Sequence, residues 1–322
     1  MKFTTPVSIS ESPFKIGHDS PVMLMGSCFA ESIGNRLKAY KFNTLKNPFG
    51  IIYNPISLGK ALSKITKGEC YTVNDLYEST GKWLSFDHHG SFSDRDQSVV
   101  LEKINASITE AHHHLKDCHT LFLTFGSAWV YEYPDAGIVA NCHKLPAKTF
   151  AKRLLTVNEI MTYYEELIGD LTHFNPKLNI IFTVSPVRHT RDGLHENNLS
   201  KSTLLLAVNT LVEQHPHCTY FPAYELVMDE LRDYRFFKED LVHPTDMAIQ
   251  YIWEKLGACF FDDDTHTLNK AIEKIRNAAS HRPFHPGSEA HQKFVAGMLY
   301  AIEQIQHDFP YLDFEEEKIT LS

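Results

Sequence analysis

Short runs that are apolar on both alternations constrain this chain more than any other feature. Leu121–Gly126, Asn179–Pro186 and Thr219–Ala223 are three of them, and Val22–Met25 is a shorter one. A strand with no polar face suits a parallel sheet covered by helices on both sides. Amphipathic stretches at about 28–40, 97–116, 157–172, 197–215 and 225–234 separate the runs. This alternation predicts an α/β fold: an open, doubly wound, flavodoxin-like central parallel sheet with helices on both faces. A ligand site is expected beyond the carboxyl ends of its strands. Gly26, Gly126 and Ser185-Pro186 all fall at such ends.

The first of these ends carries nucleophiles. Gly26-Ser27-Cys28-Phe29-Ala30 follows the Val22–Met25 run and opens a helical pattern through Ile33, Leu37 and Tyr40. A residue at such a helix start lies in the field of unpaired backbone N–H groups, which favours a thiolate and a developing oxyanion. Ser27 and Cys28 are both candidates. Far along the chain, Asp240-Leu241-Val242-His243-Pro244 places a carboxylate three residues before an imidazole. That spacing lets Asp240 hold Nδ1–H while Nε2 of His243 faces a nucleophile. Pro244 then fits the first turn of a helix running from Thr245 to about Phe260.

With these residues in view, the chain resembles the GSCFA-domain family, which is similar to the SGNH (GDSL-type) hydrolase superfamily. The matching stretches beyond Gly26–Ala30 are Asn47-Pro48-Phe49-Gly50 with Tyr53-Asn54-Pro55, Thr124–Ser127, Asn141–Lys144, Ser185-Pro186-Val187 and Asp240–Pro244. Together they span roughly residues 1 to 260. The resemblance implies a Cys28 or Ser27 nucleophile with His243 and Asp240 as the remaining triad members. Position by position, Cys28 stands where GDSL enzymes carry their Ser; sliding the register by one makes it Ser27. The resemblance also implies an oxyanion hole built from the nucleophile's own N–H, a second-loop Gly (Gly50) and an Asn. Ala128 occupies the Asn position, so Asn141 or Ser127 is the expected substitute. Asn47, His143 and Arg188 are candidate substrate contacts, Arg188 for an anionic group.

Composition sets the limits. At 322 residues with 43% hydrophobic and 22% charged residues, the chain can bury a large core. A net charge of −9 disfavours nucleic acid or an anionic membrane as partner. The six cysteines, at 28, 70, 118, 142, 218 and 259, show no paired spacing and read as free thiols in a reducing compartment. Met1–Pro6 lacks an apolar signal core and no run approaches a membrane span, so a cytoplasmic location is expected. Neither His112-His113-His114 nor His88-His89 has the companions of an established metal site, and no metal or cofactor is expected.

Two segments exceed a minimal fold of this kind. Residues 51–96 read as an insertion that opens with a helix capped by Asn54 and carries Trp83, Phe86, Asp87, His88 and His89. Residues 1–262 then form the SGNH-like domain and 263–322 a helical extension, with helices at 266–279 and 287–307 and an acidic tail at Glu315–Glu317. The extension is expected to pack on the domain or to form a homodimer, without catalytic duty. The functional expectation is an acyl-ester hydrolase, or an O-acyltransferase drawing on an acyl-CoA donor, acting on a glycan or small acylated molecule. A carbohydrate- or cofactor-binding protein that keeps the fold without catalysis is the alternative, and a scaffold working through its C-terminal helices is a third.

Overall fold

The computed structural model describes residues 4–281, 284–285 and 288–321. Arg282, Pro283, Pro286 and Gly287 of the expected linker lie outside these, as do Met1, Lys2 and Phe3 of the leader reading.

The chain opens its regular structure with β1 (Val22–Gly26), α1 (Cys28–Ala39) and β2 (Thr44–Lys46). There follow α2 (Pro55–Lys67), the hairpin β3 (Tyr77–Ser79) and β4 (Lys82–Leu84), α3 (Gln97–Asp117) and β5 (Thr120–Phe125). Next come β6 (Trp129–Tyr133), β7 (Gly137–Val139), β8 (Ala151–Leu154), α4 (Val157–Phe174) and β9 (Asn179–Val184). The second half adds α5 (Leu194–Gln214), β10 (Cys218–Tyr220), a three-residue α6 (Ala223–Glu225) and α7 (Asp246–Phe260). Three further helices close the chain: α8 (Asp263–Ser280), α9 (Glu289–Asp308) and α10 (Glu315–Leu321).

Five strands make one parallel sheet in the order β10-β9-β5-β1-β2. Period-two alternation divides its side chains between two cores. Met23, Met25, Leu121, Leu123, Phe125, Ile180 and Phe182 pack under α2 to α5. Val22, Leu24, Phe122 and Ile181 pack under α1, α7 and the C-terminal helices. The doubly wound α/β expectation is therefore met, with helices on both faces.

Three segments differ from the expectation. The helix expected over 225–234 is only α6 followed by a π-helical turn, Leu226–Glu230, in which Leu231 N–H closes on Leu226 O. It stops because Asp233 caps a new turn at Arg235 N–H. A three-stranded antiparallel sheet in the order β7-β6-β8, with β6 in the middle, is absent from the sequence expectation. Its strands mix charged and aromatic residues and pack their apolar side on Phe86 and Phe150. The acidic tail is helical: Glu317 pairs with Lys41 at 2.8 Å and Leu321 is buried. Helices α8 to α10 contribute Leu268, Ile275, Met298, Ile302 and Leu321 to the same core as α1 and α7. Among the described residues, no helix is long and apolar enough to cross a membrane.

Candidate active site

The turn between β1 and α1 is held from several sides. Gly26 has φ +137, and a Cβ there would lie 2.1 Å from the Thr124 carbonyl oxygen, so only glycine fits. Its N–H donates to Asn47 Oδ1 at 2.9 Å, and Asn47 Nδ2 donates to Glu31 at 3.0 Å. Both ends of the Asn47 amide are thus engaged inside the turn.

Ser27 and Cys28 have different environments. Ser27 is the N-cap of α1, only 1% exposed, and its Oγ accepts the Phe29 N–H at 3.2 Å. Capping is the ordinary work of a serine in this position. Cys28 is half-buried at the first helical position and opens onto a cleft of about 460 Å³. Burial pushes its thiol up from the ordinary value, while its own N–H, the Lys201 ammonium and the Phe29 N–H pull it back.

His243 lines the same cleft. Its Nδ1 lies 2.6 Å from Asp240 Oδ2, and Asp240 Oδ1 accepts the N–H groups of Val242 and His243 at 3.0 and 2.9 Å. Leu241, at φ 59, takes the left-handed turn that folds both N–H groups back onto the carboxylate. These bonds hold the Asp240 carboxyl down at about 2.

The other expected site residues are placed elsewhere. Gly50 spends its N–H on Asn47 O at 2.7 Å. Ser127 Oγ lies 3.3 Å from Ser200 Oγ and accepts the Trp129 N–H. Asn141 Oδ1 accepts the His143 N–H, and His143 Nε2 lies 2.7 Å from Ser85 O, inside the insertion. None of these is among the residues lining the Cys28–His243 cleft. Arg188 is half-buried, its Nε has no partner among the described residues, and its guanidinium interacts with Tyr224. Two members of the histidine run are tied to carbonyls, His112 to Ile65 O and His114 to Val22 O. A separate cavity of about 630 Å³, lined by Lys60, Tyr71, Asp87 and Tyr163, contains none of the motif residues.

Sequence reasoning missed two groups beside Cys28. Lys201, on α5, is 1% exposed and has no carboxylate partner among the described residues. Its Nζ donates to Gly126 O and Ser185 O, each at 2.7 Å, at the carboxyl ends of β5 and β9. Burial pushes its ammonium down to about 7, and the Cys28 thiolate opposes that. One lysine on a helix offers no signal in sequence that it points inward. Tyr53, within a quoted motif, packs edge-on to His189 at 5.1 Å and closely over Gly126, where a Cβ would meet its ring at 2.9 Å. Burial and the nearby Cys28 raise its phenol, which keeps its proton.

Residues 21–256 match the GSCFA family, and residues 272–321 match the GSCFA domain protein, C-terminal domain. The chain belongs to the GSCFA family. No curated protein matches it. Among solved structures, this GSCFA protein is similar to one described as a platelet activating factor from Streptococcus pneumonia, at 11% identity and a TM-score of 0.39. That match covers 78% of this chain and 85% of the other. A second is a carbohydrate esterase family 3 from Talaromyces cellulolyticus, at 10% identity and a TM-score of 0.34, covering 79% of this chain and 99% of the other.

Proposed function

We propose that this GSCFA protein is an acyl-transfer enzyme, an esterase or O-acyltransferase, whose nucleophile is Cys28. The observation that carries the reading is the division of labour at the turn. Ser27 is the buried cap, whereas Cys28 opens onto a cleft shared with an imidazole that a carboxylate orients.

In this reading Cys28 attacks the acyl carbonyl as a thiolate, supported by the Lys201 charge and the first-turn N–H groups. The carbonyl π bond opens, and the oxyanion is held by the Cys28 N–H at the start of α1. On collapse the C–O bond to the leaving alcohol breaks, and His243 Nε2–H protonates the departing oxygen. A thioester remains on Cys28. Water or an acceptor hydroxyl then gives its proton to His243 and attacks the thioester, releasing the thiolate. Asp240 holds the imidazole tautomer throughout. Water as acceptor gives hydrolysis of an acyl ester, an O-acetylated glycan among the candidates; a sugar hydroxyl with an acyl-CoA donor gives transfer.

Intact-mass spectrometry after brief exposure to p-nitrophenyl acetate tests this. Wild type and Ser27→Ala are expected to gain one acetyl group, and Cys28→Ala and His243→Ala to gain none. A wild type without adduct and without p-nitrophenol release would favour the second reading, a binding protein that keeps the fold. Ala128 motivates that reading, since its N–H donates to Ser200 Oγ and its methyl offers no oxyanion donor.

A further inference from the structure

Charge is distributed unevenly over this protein. The chain as a whole carries −9, yet the wall of the Cys28–His243 cleft presents Arg36, Lys238 and Arg276, opposed by the single carboxylate of Asp246. None of the three cations has a carboxylate within ion-pair distance among the described residues, although Arg276 also borders a second cavity lined by Asp19, Asp313, Glu316 and Glu317. Arg36 sits in the last turn of α1, Lys238 just before the Asp240–His243 loop and Arg276 on α8. The Arg276 guanidinium lies over the Tyr40 ring, 4.9 Å from its centroid, which holds it in place against the cleft. Glu273, one turn earlier on α8, is engaged with the Tyr40 hydroxyl at 3.1 Å. Unpaired cations converging on one cleft of an acidic protein cost repulsion unless something negative enters between them.

We propose that this wall is an anion subsite, and that the ester substrate carries a phosphate or carboxylate group seated between Arg36, Lys238 and Arg276. Guanidinium forks match both groups by paired hydrogen bonds. The assignment rests on the Cys28 reading, and it gives the C-terminal domain a direct part in substrate recognition: Arg276 comes from the segment expected to have no catalytic duty.

The test uses the full chain and iodoacetamide labelling of Cys28, read by mass spectrometry, with the exposed Cys70 thiol as internal reference. Inorganic pyrophosphate and succinate are the probes. Pyrophosphate, succinate or both are expected to slow labelling at Cys28 while leaving Cys70 unaffected, and added salt should weaken the protection. Protection by pyrophosphate alone points to a phosphate-bearing substrate; protection by both admits a carboxylate. Arg36→Gln, Arg276→Gln and the surface variant Lys238→Gln should each raise the protecting concentration about tenfold. Calorimetric titration of Cys28→Ala with pyrophosphate reads the same site without the thiol. Unchanged Cys28 labelling at tens of millimolar of either probe, with no heat of binding, overturns the proposal. Protection without an acetyl adduct from p-nitrophenyl acetate would instead sink the catalytic reading and leave the anion subsite standing.

Discussion

Asn47 Oδ1 accepts the backbone N–H of Gly26 at 2.9 Å, so a loop residue twenty-one positions on fixes the glycine of the β1–α1 turn. Through Nδ2 the same amide reaches Glu31 on the first turn of α1. Asn47→Ala would leave a buried N–H unpaired, at a cost of about 1–3 kcal/mol. It should therefore lower both the urea midpoint and the yield of acetylated Cys28. Asn47→Asp keeps the acceptor for Gly26 but sets two carboxylates together, and should fall between Ala and wild type. An Asn47→Ala protein as stable as wild type would refute the scaffold role.

Ser27 and Cys28 should separate cleanly. Removing the cap in Ser27→Ala is expected to cost about 1 kcal/mol, measured by denaturant unfolding, with acylation retained. Cys28→Ala should cost less stability and abolish the adduct. Loss of acylation in Ser27→Ala alone would transfer the nucleophile's role to the hydroxyl.

Lys201 gives two signatures. A lysine held at about 7 when folded, against an ordinary ~10.4, binds fewer protons in the folded state between those values. The unfolded chain holds the extra proton there, so this group makes stability rise as pH goes from 7 towards 10. Lys201→Met should flatten that rise in thermal melts. The same substitution removes a cation that favours the thiolate, so the pH midpoint of Cys28 alkylation should move upward. Superimposable alkylation profiles for the two proteins would show that Lys201 serves the sheet edge only.

Asp240 acts with the same sign in a more acidic window. Its carboxyl is held at about 2, below its ordinary value near 3.9, by the N–H groups of His243 and Val242 and by the imidazole. The stabilisation is present above the ordinary value and disappears as pH falls from about 4 towards 2. Asp240→Asn should show a shallower acid loss over that window, and acylation several orders of magnitude slower at neutral pH because the imidazole is no longer oriented by a carboxylate. Acylation kinetics within tenfold of wild type would remove Asp240 from the triad.

The sheet was legible because burial on both faces leaves an unambiguous pattern. Leu121 to Phe125 and Ile180 to Val184 contain one polar side chain each, a threonine. The Asp240–His243 hydrogen bond was legible because both partners lie in one loop. The placement of Gly50 was not: it has the residue type expected of an oxyanion donor, but its N–H closes the Asn47 turn. Lys201 was invisible because only the tertiary fold turns that side of α5 beneath Gly126 and Ser185. The β7-β6-β8 sheet escaped because strands such as Ala151–Leu154, half of whose residues are exposed, carry no clear alternation.

Arg276 has a consequence for the order in which this protein becomes competent. Arg276 comes from α8, whereas Cys28 and Arg36 belong to α1, the first helix of the sheet. Contacts so distant in sequence form late, since loop closure must be paid for before they contribute. A chain emerging from synthesis would fold its β1–α1 turn, strands and Asp240–His243 loop while the cleft still lacked one side. Ligand affinity would then reach its full value only when α8 docks, making the C-terminal domain the final step of assembly rather than an appendage.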